Sequence, residues 1–223
     1  MRVQHSMACD ELPNNKPYWN YEDIGIFFLV LVLIGFVLRL LVRFHLLARS
    51  DLSNPSVLLQ FLVIASLSLA LYLVLKLRHH RPVLRPLGWI WPRPVYVLIS
   101  LTAGPLLAVG VAFYLRYSHR STPQIGLTDL LFLGLFLGPI LEESFFRGCL
   151  LPLLAETTGS ICSVILTALL FALLHQPADL VHWLSFTATG VAYGWIRTAS
   201  GSTFASSVSH ATYNIVVILL VAR

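Results

Sequence analysis

The sequence predicts an all-α, polytopic integral membrane protein of about seven transmembrane helices, or eight if a further segment re-enters the bilayer. Two compositional facts and one pattern carry this. Of 223 residues, 57% are hydrophobic and 11% charged, where an ordinary soluble domain has roughly 25% charged residues. That leaves too little charge to cover a water-facing surface, and the mean hydropathy is +0.79. The apolar residues also fall in long uncharged runs, as a bilayer requires. Disorder is excluded, because disordered chains are poor in apolar residues.

Residues Met1 to Asp23 form a polar N-terminal segment without the apolar centre of a cleavable signal peptide. A forward section, Ile24 to Gly126, follows. Its first run, Ile24 to Leu38, extends past Arg39, whose stem can snorkel to an interface. The next runs, Val57 to Leu75 and Val95 to Leu115, are uncharged and long enough to span. The later one holds Gly104-Pro105, a kink signal.

From Leu127 to Arg223 the pattern changes to a polar-studded helical core. Leu127 to Ala155 stays apolar yet contains Gly138-Pro139, Glu142, Glu143 and Arg147. Ile161 to Leu174 ends at His175, with Pro177 beyond it as a helix stop. Leu180 to Ile196 and Thr203 to Ala222 complete the chain. Trp89, Trp91, Trp183 and Trp195 lie near run ends, where aromatic belts belong.

The net charge of +5 raises nucleic acid as a partner. Five of the fifteen Lys and Arg residues, however, lie in one stretch between apolar runs: Lys76, Arg78, Arg81, Arg85 and Arg93. Positive loops of that kind mark the cytoplasmic side of a membrane protein. The bilayer is the expected partner, and nucleic acid is not. The expected location is the cell (inner or plasma) membrane. Cys9, Cys149 and Cys162 give neither a disulfide framework nor zinc-finger spacing and read as small core residues.

Ionisable groups at membrane depth gather in the later helices: Glu142, Glu143, Arg147, His175, His182 and His210. Such groups cost several kcal/mol or so in a bilayer and are kept for function or pairing. Glu143 and Arg147 are four apart with the acid first, the favoured order for an ion pair on one helix face. That pairing leaves Glu142 about a hundred degrees around the helix with no local cation. A carboxyl in that position suits a general base or acid. His175 stands one turn above Phe171, and His210 one turn before Asn214. Taken singly, these read as a helix cap and as interhelical glue. His182, beside Trp183, reads as interfacial.

Depth arithmetic brings the candidates together. With a hairpin turn near Thr158-Gly159, Glu142 and His175 both lie about 22 to 24 Å from the turn. They are level. His210 lies about 13 Å from a turn at Gly201, a mismatch of about 10 Å that tilt or a shallow turn must absorb.

These residues also resemble a family. Glu142-Glu143-Ser-Phe-Phe-Arg147-Gly148 is similar to an EExxxRG element, Phe171-Ala-Leu-Leu-His175 to FxxxH, and His210-Ala-Thr-Tyr-Asn214 to HxxxN. Their order on apolar helices resembles the CPBP (CAAX protease and bacteriocin-processing) intramembrane proteases, which include the type II CAAX prenyl endopeptidases. Gly190-Val-Ala-Tyr-Gly194 and Arg197-Thr198 are similar to the segment before the last motif. Where the family often reads Thr-Gly-Ser-Leu, this chain has Thr198-Ala-Ser-Gly-Ser-Thr203.

The resemblance implies hydrolysis of a peptide bond in a membrane-associated protein or peptide. Glu142 and His175 would hold and activate water, and His210 and Asn214 would donate to the oxyanion. Glu143, Arg147 and Phe171 would support them. No cofactor is expected. Were the enzyme a zinc protease, as the family was long described, Glu142, His175 and His210 would be the ligands, although no HExxH pair is present. The competing readings are a non-enzymatic scaffold or immunity protein on the same fold, and a proton-coupled transporter.

Overall fold

The computed structural model describes residues 19–43, 65–78, 84–117, 137–175 and 177–221. Cys9, most of the polar N-terminal segment, residues 57–64 of the second apolar run and 127–136 of the fourth lie outside the described residues. Every regular element among the described residues is a helix.

Helix α1 spans Tyr21–Arg43. It begins ahead of the apolar run because Asn20 and Asp23 cap it reciprocally. Asp23 N donates to Asn20 Oδ1 at 2.9 Å, and Asn20 N donates to Asp23 Oδ2 at 2.8 Å. This is a capping box built from Asn and Asp. Trp19 and Asp23 are buried, so the last residues of the polar segment belong to the packed structure. Helix α2 covers 65–78 and ends in the π-helical turns Leu73–Arg78.

Helix α3, Pro94–Tyr117, buries Ser100, Gly104 and Ala108, a small-residue stripe at four-residue spacing. Such stripes let membrane helices approach closely. At Gly104 a methyl group would collide with the Ser209 carbonyl, the Thr212 side chain and the Tyr213 amide.

The stretch Gly138–Leu174 is 37 residues long. Straight, it would reach about 55 Å, far beyond a hydrocarbon core of about 30 Å. Instead it folds back at Gly159, whose φ of 78° and ψ of 165° break the helix. The reversal matches the turn expected at Thr158-Gly159. Its arms are α4 (138–158) and α5 (160–174). Helix α6, Leu180–Ser200, is capped by Asp179, which accepts from His182 N, and closed by left-handed Gly201. Helix α7 is Thr203–Val221.

Three described stretches are long and apolar enough to cross a membrane: Pro94–Tyr117, Gly138–Leu174 and Thr203–Leu220. The described residues therefore give fewer qualifying spans than the seven or eight expected. The outward faces of α1 and α3 are apolar and exposed, with Leu29, Val32, Phe36, Leu98, Leu106 and Phe113 among them. Helices are the only open-ended way to satisfy backbone groups in lipid.

Two packings position the site. Gly190 and Gly194 let α6 lie directly on Ala168 and Val164 of α5. The forward helices meet α4 in one apolar cluster that includes Phe27, Leu71, Val74, Leu87, Phe145 and Phe146. Within it the Phe27 and Phe145 rings stack at 4.6 Å.

Candidate active site

Glu142 and Glu143 end the short α-helical stretch Gly138–Glu143, and the chain then passes into π-helical turns over Ser144–Leu150. Such turns inside α-helices recur at functional sites. Here the segment buries Arg147 completely, together with Glu143.

Arg147 is held from several sides, although its Nε and the Glu143 Oε2 have no hydrogen-bond partner among the described residues. Its Nη1 donates to Glu143 Oε1 at 3.0 Å and its Nη2 to the Gly190 carbonyl at 2.9 Å. The guanidinium also lies 4.9 Å from the Phe171 ring centre and 5.5 Å from those of Phe146 and Tyr193. Burying two charges is favourable only with such geometry and extra hydrogen bonds. The pair is therefore a fixed anchor joining α4 to α6.

The same Glu143 oxygen accepts from His210 Nδ1 at 3.0 Å. A carboxylate can only accept, so Nδ1 carries the hydrogen. The other ring nitrogen, Nε2, then faces Glu142 Oε2 at 4.0 Å. His175 repeats the pattern. Its Nδ1 donates to the Phe171 carbonyl at 2.8 Å, and its Nε2 lies 3.7 Å from Glu142 Oε2. The FxxxH spacing thus fixes the ring: the phenylalanine one turn below supplies the carbonyl, and its ring lies 4.2 Å from the imidazole.

One atom stands between the two imidazoles. Glu142 Oε2 is itself buried and has no hydrogen-bond partner among the described residues, while the Glu142 side chain as a whole is 30% exposed. The gaps on either side are too long for direct hydrogen bonds, and gaps of this size are commonly bridged by water. Asn214 follows His210 by one turn of α7 and is half-buried.

The depth mismatch anticipated for His210 is resolved by residues of the forward section. The Leu87 carbonyl accepts from Thr203 Oγ1 at 2.5 Å and lies where a side chain on Gly148 would clash. Gly88 O accepts from Thr203 N at 2.8 Å. The turn into α7 is therefore held beside Gly148 in mid-helix, not beside Gly159, and this lifts His210 to the level of Glu143. Ser202 Oγ donates to Ile90 O at 2.5 Å, and Trp89 Nε1 to Ser144 Oγ at 2.9 Å. Trp89 is thus a structural donor beside the site.

Sequence reasoning passed over this strap, and it gave Tyr193 and Arg197 no role beyond the resemblance of their segment. Arg197 Nε donates to the Arg147 carbonyl at 3.1 Å. The Tyr193 ring stacks on His210 at 4.8 Å and 18°. The signal for Tyr193 was its place inside Gly190-x-x-x-Gly194, the spacing of close helix contact. His182 Nδ1 contacts Asp179 Oδ1 at 2.9 Å, apart from the cluster.

No three His, Cys, Asp or Glu side chains among the described residues are arranged to hold one metal ion. The 3.7 and 4.0 Å gaps around Glu142 Oε2 exceed the about 3.3 Å between neighbouring ligands of a tetrahedral zinc. An open apolar groove of about 610 Å³, lined by Leu106, Leu107, Val111, Leu184 and Ala188 between α3 and α6, contains none of the site residues.

Comparison with known families now adds to the geometry. Residues 124–216 match the Rce1-like family of type II CAAX prenyl endopeptidases. The matched segment spans all three motifs and agrees with the resemblance read from them. Comparison with curated proteins and with solved structures gives no match. The family and the apolar helices together identify an integral membrane protein.

Proposed function

We propose that this chain is an intramembrane endopeptidase in which Glu142 and His175 activate water and His210 and Asn214 stabilise the oxyanion. The observation that carries the reading is the unpartnered Glu142 Oε2, facing the Nε2 atoms of two histidines whose Nδ1 atoms are already committed.

The tautomers support this division of roles. With its Nδ1 hydrogen on the Phe171 carbonyl, neutral His175 offers a bare Nε2 as an acceptor. A water donating one hydrogen to His175 and the other to Glu142 turns its lone pairs outward to the scissile carbonyl. Glu142 takes a proton as the water oxygen bonds to the carbonyl carbon. The oxyanion is met by the Asn214 amide and by His210, whose Nε2 donates when the ring is an imidazolium held by Glu143. Glu142 then returns its proton to the leaving nitrogen as the C–N bond breaks. General base and oxyanion donors of this kind act mainly in the transition state.

The family description makes a prenylated CAAX end the first substrate to try. We further propose seven spans, with the N-terminus and the basic Lys76 to Arg93 stretch on the cytoplasmic side. The test is cleavage of a farnesylated CAAX peptide and its unprenylated twin by purified protein in liposomes. His175→Asn should lose about 10²- to 10⁴-fold in turnover without losing helical content. Undiminished turnover in that variant would remove His175 from the mechanism.

A further inference from the structure

Tyr193 lies at the centre of the site, and the mechanism above gives it no task. It is 1% exposed. The glycines at 190 and 194 press its helix against α5 and drive the ring inward. There it stacks face-to-face on His210 at 4.8 Å and meets Phe171 and Tyr213 edge-on at 6.4 Å each. The guanidinium of Arg147 lies 5.5 Å from its ring centre. Everything a packed ring needs is present, and phenylalanine would supply it equally.

The hydroxyl is what requires explanation. It is buried and has no hydrogen-bond partner among the described residues. A buried, unsatisfied hydroxyl lowers stability, and such groups in folded proteins usually answer to a bound water or a reacting group. The charged groups near enough to act on it are Glu143, Arg147 and Glu142, the residues that surround the reacting centre. Of these, the glutamates could accept from the phenol, yet neither is bonded to it at rest.

We propose that the Tyr193 hydroxyl donates a hydrogen bond to the reacting carbonyl oxygen beside Asn214, while its ring holds the His210 imidazole in place by stacking. The assignment rests on the hydrolytic reading above. A donor whose partner arrives only with substrate is left bare in the resting protein and strengthens its bond as the oxygen gains charge, which is how an oxyanion donor accelerates the reaction.

The experiment is steady-state cleavage in liposomes, normalised to folded protein. The probe is a synthetic peptide spanning a cleavage site mapped by comparing membrane-protein termini in cells with and without the gene. Tyr193→Phe keeps the stack and removes only the hydroxyl. Its kcat should fall about 10²-fold, with KM within about twofold of wild type. Its Tm should equal or exceed that of wild type, because a bare hydroxyl has been removed from the interior. Tyr193→Leu removes the stack as well and should lose more turnover than the phenylalanine variant. Wild-type kcat in Tyr193→Phe overturns the donor role, and equal activity of the two variants overturns the positioning role. Glu142→Gln run in parallel separates the failures. If it also turns over, the hydrolytic reading is wrong. If it is inactive while Tyr193→Phe is not, only the tyrosine assignment falls.

Discussion

Helix α3 and the hairpin α4–α5 are both apolar enough to cross a membrane, and they pack in opposite ways. Helix α3 buries only small or apolar side chains on its inner face, Ser100, Gly104, Ala108 and Leu115, and meets α7 almost backbone to backbone. The hairpin buries a glutamate and an arginine at full depth and ties them to His210 and to the Gly190 carbonyl. The first solution is steric. The second is electrostatic, and it tolerates no missing partner. Labour is divided accordingly: α3 and the strap at 87–90 decide where α7 lies, while the hairpin decides which groups His210 meets there.

Of the two regions, the hairpin should be the more sensitive to substitution. Glu142→Gln keeps size and hydrogen bonding but removes the base, so turnover should fall about 10²- to 10⁴-fold with folding intact. Turnover near wild type, measured per folded protein in liposomes, would take the carboxylate out of the mechanism.

Glu143→Gln should act differently despite being the adjacent residue. It strands Arg147 as a buried charge, and loss of one partner of such a pair costs about 3–5 kcal/mol. Folded yield in detergent should drop before specific activity does. A Glu143→Gln protein folding at wild-type yield would show that burial of Arg147 does not depend on this carboxylate.

On the steric side, Gly104→Val inserts atoms where α3 touches the Ser209 carbonyl and the Tyr213 amide. Overpacking of this kind costs about 1–3 kcal/mol. Because α7 carries His210, activity and Tm should fall together, with no change in the KM-to-kcat balance. A fall in Tm alone would show that α3 does not set the position of α7.

The smallest effect should come from chelation. Turnover is expected to survive EDTA and phenanthroline, because water activation is assigned to Glu142 and His175. Loss of activity restored by added zinc would make Glu142, His175 and His210 ligands instead.

What could be read in the sequence was whatever helical periodicity encodes. Glu143 with Arg147, Phe171 with His175, and His210 with Asn214 are each four apart, so one helix sets each relation. The fold-back at Gly159 was also legible, because equal arm lengths place Glu142 and His175 at one depth. The height of His210 was not legible. It depends on the Leu87 carbonyl taking the Thr203 hydroxyl across 116 positions of sequence, and no local pattern announces such a contact. The Trp89 contact with Ser144 was hidden for the same reason, since a tryptophan near a run end reads only as an interfacial anchor. Tyr193 was hidden because a tyrosine between two glycines on an apolar helix looks like filler. Only its bare hydroxyl sets it apart.

If this membrane protein is a peptidase, its activity depends on Glu142. The direct measurement compares the termini of all membrane proteins in wild-type cells, in cells lacking the gene, and in cells carrying Glu142→Ala at native expression. Wild type should show a defined set of new termini that is absent from both other strains, with the variant protein still present in the membrane. Termini in the Glu142→Ala strain identical to those of wild type would contradict it.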